Sequence, residues 1–341
     1  MNNTKTLEQK AAQNIEGIVR EVFTYGKSEK EQAVVVYDTN STLSRILYEA
    51  YKRALPNATF INFDKTEPSK ILKTLSLLNE YDFVALIQSK NFRLDAFRIR
   101  VELFKRKIKV IEHPHLERMS DDEVPCFIDA LAYDSTYYRT VGPALKVKID
   151  AASSAVLDSG GELLYYDCPF EPAKLNIGDY SEMPNTGGQF PIGEVFTEAK
   201  DLEALHGRVN IFIFSDTSYQ INRPEKPITL IIKKGVVIDT ENSTEKFDEI
   251  LDLIREKEEK VWVRELGFGL NRAFTKTDTV KDTGTYERMC GVHISLGRKH
   301  GMYGKPGFKR GAGWFHVDVF VDTKTFTLDN EVIFENEAWV V

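Results

Sequence analysis

Three of the chain's six histidines, His293, His300 and His316, crowd into residues 293–316. His316 stands two positions before Asp318 in GAGWFHVDVFVD (311–322), whose Trp314, Phe315, Val317, Val319 and Val321 otherwise read as a core strand. Residues i and i+2 of a strand share a face, about 7 Å apart at Cα. An imidazole and a carboxylate so placed can lean onto one divalent ion, with bonds of about 2.0–2.2 Å. The plainer reading is a buried His–Asp hydrogen bond, because polar groups in an apolar segment must find partners. Other acids in similar settings favour the metal. Glu194 lies at the start of an apolar strand in FPIGEVFTE (190–198), and Glu265 reads as the end of another in VWVRELGFGLN (261–271), before two glycines and Asn271. His293 alternates with Val292, Ile294 and Leu296 in GVHISLG. Glycine beside an acid permits close backbone approach, which suits a site. Together Glu194, Glu265 and Asp318 with His293 and His316 suit two divalent ions sharing a water better than one structural zinc, which prefers thiolates. A Ser–His–Asp triad is the rival chemistry, but no G-x-S-x-G supplies its nucleophile.

The elements that must hold these residues change character along the chain. Through about residue 150, helical periods (LEQKAAQNIEGIVREVF, STLSRILYEAYKRAL with Ser41 or Thr42 as cap, 67–79 and 91–106) alternate with apolar runs (AVVVYD, ATFINFD, FVALIQ, IKVIEH). That alternation predicts a parallel sheet covered on both faces. No G-x-G-x-x-G follows the first strand, so this half lacks the chemistry for nucleotides. Beyond it, PITLIIKKGVVIDT and FTLDNEVIFENEAWVV read as hairpins, and TEKFDEILDLIREKEEK as a helix with Phe247, Ile250, Leu251 and Ile254 on one face. The fold class expected is an α/β domain with a parallel sheet over 1–150, then a β-rich (α+β) metal-binding domain over 151–341. The stretches 181–193 and 298–313 read as functional or mobile loops.

Composition narrows the partners. A net charge of −7 disfavours binding to nucleic acid. No run of about 18 apolar residues predicts a membrane span, and the polar N-terminus shows no signal peptide. Cys126, Cys168 and Cys290 form no C-x-x-C pair, which suggests reduced, buried thiols and a cytoplasmic setting. His113 and His115 in EHPHLERM read as surface groups at a strand-to-loop corner, FKRKIK (104–109) as a solvated helix end, and REKEEK (255–260) as an exposed helical face.

The four site segments, in their order, resemble the aminopeptidase T family of dinuclear metallopeptidases. PIGEVFT (191–197) matches a P-x-G-E-V-F-T segment, and Glu265, Gly269 and Asn271 match a glutamate with Gly at +4 and Asn at +6. GVHISLG matches a Gly-x-x-His-x-x-x-Gly strand, loosely at its start, and HVD (316–318) an H-x-D strand. The resemblance implies an α/β domain before a β-rich one and a homodimer. It also implies Glu194, Glu265, His293, His316 and Asp318 as ligands of two divalent ions (zinc, cobalt or manganese, with iron admissible). The implied activity is release of N-terminal residues from peptides. Glu194 or Glu265 would take a proton from water, and His300 or Tyr303 would stabilise the oxyanion, making Glu265, His300 and Tyr303 the catalytic candidates. His300 stands where the family has a tyrosine, with Tyr303 three residues on. The loop from His293 to His316, and the chain itself, are shorter than in the peptidases. Two alternatives stay open. One is a one-iron, ring-cleaving dioxygenase using His293, His316 and Asp318. The other is a silent binding protein, to which the missing tyrosine points.

Overall fold

A computed structural model describes residues 5–27, 30–94, 98–181, 183 and 185–341. The chain divides into two compact units: Met1–Tyr138, Gly178–Ile192 and Ala273–Val280 in the first, and Arg139–Ile177, Gly193–Arg272 and Lys281–Val341 in the second. The division falls at 138/139, and two later segments, outside the 1–150 reading, belong to the first unit.

In the first unit the strands Thr59–Asn62, Ala33–Tyr37, Phe83–Ile87, Lys109–His113 and Gly187–Gln189 lie side by side in that order, every pair parallel. The three central strands bury nearly every residue, as their β-branched and aliphatic composition requires. Helix Leu7–Glu21 starts from a capping box between Thr6 and Gln9 and buries Ala11, Ala12, Ile15, Ile18 and Val19. Helix Thr42–Ala54 starts from Ser41, as its sequence indicates. Part of the expected loop at 181–193 is therefore strand, held against Lys109–His113, while Glu182 and Pro184 lie outside the described residues. The helix expected over 91–106 is confined to Ile99–Lys105, and residues 95–97 are outside the described set. Ahead of it, Gln88 takes the Phe92 N–H and Phe92 stacks on Phe63, so tertiary partners hold 91–94 off the helical path. Lys105 and Lys107 are exposed as expected, but Arg106 reaches back to the carbonyls of Leu75, Ser76 and Leu78.

In the second unit one large sheet runs antiparallel from neighbour to neighbour. Four adjacent strands concern the site: Val317–Val321, Gly291–Leu296, Val263–Gly269 and Glu194–Glu198, in that order. Helix Glu245–Glu258 buries Phe247, Ile250, Leu251 and Ile254, the expected face, and Glu258 with them. The hairpins 228–241 and 325–335 form as expected, the latter extended by Ala338–Trp339. Among the described residues no helix is long and apolar enough to cross a membrane. The three cysteines are unpaired, with Cys168 buried and Cys126 and Cys290 half-buried.

Candidate metal centre

Cross-strand partners in a sheet point to the same face. Register pairs Glu265 with Glu198, Gly267 with both Phe196 and His293, Gly269 with Glu194, and Ser295 with Asp318. All five proposed ligands therefore project from one face of four neighbouring strands, His316 entering from just ahead of Val317. Glu265 lies within its strand, not at its end, because the strand continues through both glycines to Gly269. The glycines clear the floor: a Cβ on Gly267 would sit 2.1 Å from the His293 ring, and one on Gly269 1.8 Å from the Met289 carbonyl. A β-bulge adds one residue, so that Arg264 and Glu265 together face Ser295, whose hydroxyl accepts the Glu265 N–H at 2.9 Å.

Two donor groups form on this floor. Glu194, Glu265 and His293 make one and Glu265, His316 and Asp318 the other, the ligand atoms of each lying within 4.8 Å of one another. Glu265 belongs to both. His293 Nε2 lies 3.4 Å from Glu194 and 3.7 Å from Glu265, and His316 Nε2 lies 3.1 Å from Asp318 Oδ1. Among the described residues neither nitrogen of His293 has a hydrogen-bond partner, although both are buried. Buried polar groups are costly unless bonded, so orphaned donors converging on one space fit a cation. Burial alone would lower His293, but Glu194 and Glu265 outweigh it and push it up to about 9. Loss of water likewise opposes the charge on His316, although its ring is partly exposed, but Asp318 and Glu265 push it up to about 10. Burial would raise Glu265, yet His293, His300 and His316 hold it well below the carboxylate range. The carboxylates are thus balanced by protonated imidazoles, a charge balance that a cation could equally supply.

Hydrogen bonds give the two remaining imidazoles opposite tautomers. His316 Nδ1 donates to the Lys299 carbonyl at 3.0 Å, leaving a lone pair on Nε2 for a ligand bond. His300 Nδ1 accepts the Met302 N–H at 3.2 Å, which puts the proton of the neutral ring on Nε2, 3.1 Å from Glu265 Oε2. His300 is thus arranged as a donor and belongs to neither ligand group. Tyr303 is not aimed into the centre: its hydroxyl donates to the Pro172 carbonyl at 2.6 Å while its ring packs 5.1 Å from that of His300.

Several supporting residues gave no sequence signal or were misread. Arg264 pairs with Glu198, both wholly buried, and Lys305 links Glu198 to Glu171. Arg288, also buried, lies 3.6 Å from Glu194. Glu258 is 3% exposed, so the REKEEK run is not an open face throughout. Trp314 is 72% exposed and Phe315 precedes the strand, so the core strand begins only at Val317. His113 is no surface group: it is fully buried, bonded to the Tyr51 hydroxyl (2.9 Å) and the Phe190 carbonyl (3.1 Å), and burial pushes it down to about 4. His115 is half-buried in a left-handed turn.

One unit built on a parallel α/β sheet and one built on an antiparallel sheet define the class of architecture. A solved structure shares it: wild-type AmpT, an aminopeptidase T from Thermus thermophilus, with a TM-score of 0.59 over 98% of this chain and 100% of that one, at 13% identity. The likeness is one of fold. No family model and no curated protein matches the sequence.

Proposed function

We propose that the chain is a metal-dependent aminopeptidase acting through two divalent ions. The observation that carries this reading is the sharing of Glu265 between two donor groups on one sheet face. Glu194, Glu265 and His293 would hold one ion, and Glu265, His316 and Asp318 the other; zinc, cobalt, manganese and iron all accept such ligands. Bound there, the ions supply a Lewis acid and a water acidic enough to attack near neutral pH. Glu194 or Glu265, the carboxylates of the first donor group, would take the water's proton. His300 Nε2–H is the donor available to the oxygen on which charge builds as the amide carbonyl becomes tetrahedral. Tyr303 holds His300 from behind. The substrate class is a peptide with a free N-terminus, and the active chain is a cytoplasmic homodimer.

Metal analysis of chain purified without chelators, paired with hydrolysis of aminoacyl amides, tests the reading. Two ions per chain, with activity lost in Glu265→Ala, supports it. One tightly held iron with oxygen uptake on a dihydroxylated ring would establish the dioxygenase instead. That chemistry needs His293 and His316 on one ion, and among the described residues no donor group contains both. A chain that takes up no metal would establish the silent binder.

A further inference from the structure

We propose that Glu258 is a positioning residue for the second donor group, clamping the loop that carries His300 and delivers His316. This rests on the metal-centre reading above. Glu258 is the last residue of its helix and is 3% exposed. A carboxylate there meets the negative end of the helix dipole and loses its water, two costs that an uncharged residue would avoid. Three backbone N–H groups offset them. Glu258 Oε2 accepts from Arg298 at 2.6 Å, and Oε1 accepts from Trp314 at 2.5 Å and Phe315 at 3.0 Å.

Those donors mark the two ends of one loop. Arg298 is two residues before His300, and Phe315 immediately precedes His316. The ends are also joined directly, Lys299 N–H donating to the Phe315 carbonyl at 3.0 Å. The Lys299 carbonyl in turn accepts a hydrogen bond from His316 Nδ1–H, which holds the proton on Nδ1 and frees Nε2. Trp314, with its side chain largely in solvent, brings little packing to hold this approach. Glu258 therefore holds Arg298 and Phe315, the neighbours of Lys299 and His316, and through them the approach that aims His316. Glu194, Glu265 and His293 lie on laddered strands and need no such clamp.

The test compares the two ion sites within one chain. Cobalt(II) titrated into the metal-free wild type should give two binding events. Glu258→Ala should weaken the second about 10–100-fold, as loss of an outer-shell partner does, and leave the first within about twofold. Glu258→Gln keeps one carbonyl oxygen for Trp314 and Phe315 while losing the Arg298 bond, so it should fall between. Equal weakening of both events, or of neither, in a variant whose circular dichroism shows it folded overturns the proposal. The imidazole nitrogen resonances of the metal-free chain provide a readout that needs no ion. Those of His300 and His316 should move in either variant while those of His293 and His113 stay, and unmoved His300 and His316 signals overturn the clamp. Fewer than two cobalt events in the wild type would sink the two-ion reading, and the imidazole spectra would then decide the clamp alone. If the alanine variant does not fold, the glutamine variant carries both measurements.

Discussion

His113 and His293 are both wholly buried in strands, one in each unit, and their surroundings are opposite. His113 has a partner on each ring nitrogen, and among the described residues no carboxylate shifts it, so burial keeps it neutral, down at about 4. Among the described residues His293 has no hydrogen bond on either nitrogen; it has two carboxylates within 3.7 Å, and is pushed up to about 9. The first is a finished piece of core. The second is a site whose polar atoms are arranged for something else. A buried histidine thus declares its role by what its nitrogens lack.

The largest expected effect tests the site side of this contrast. Glu265→Ala should remove both ions and lower amide hydrolysis by roughly 10³-fold or more, beyond the 10–100-fold typical of outer-shell partners; metal analysis and steady-state rates check it. Next, His113→Ala should cost about 3 kcal/mol in denaturant unfolding, through a cavity and two unmet polar partners, with metal content unchanged. His293→Ala differs in losing metal as well: near neutral pH it should also destabilise the metal-free chain, because the charged ring no longer offsets Glu194 and Glu265. A third measurement opposes the two in pH. On acidification the unfolded chain takes the proton at His113 first, near pH 6.5, and the folded chain only near 4. Stability falls over that window by about 3 kcal/mol, a loss that His113→Gln should flatten. His293 in the metal-free chain has the opposite sign: its contribution is present below pH 6.5 and is lost as pH rises through about 9. The smallest effect is expected for His300→Tyr, which replaces one donor with another. Two ions should remain bound and hydrolysis should change by less than about tenfold, whereas loss of an ion would make His300 a ligand.

Periodicity made the parallel strands and the apolar face of Glu245–Glu258 readable, and the H-x-D spacing led to the donor set. What stayed illegible was pairing across distance. His113 is satisfied by Tyr51 and Phe190, and Arg264 by Glu198, 66 positions away. Glu258 sits in a charged run that looks solvated, and only the returning loop shows why it is buried. Trp314 misled in the other sense, since apolar identity gives no strand where the backbone is already committed to a carboxylate. Tyr303, a candidate by position along the chain, is taken by Pro172.

The bulge at Arg264 and Glu265 has a consequence for charge density. A regular ladder gives each strand one side chain per row on a given face. Here one row carries two, of opposite sign: the carboxylate goes to the centre and the guanidinium to Glu198 directly across. Deleting Arg264 would restore an even ladder and keep Glu265 opposite Ser295, yet take from Glu198 its nearer cation and leave it the more distant Lys305. The sheet thus packs a cation and an anion into the width of one residue, and an acidic floor can be built without widening it.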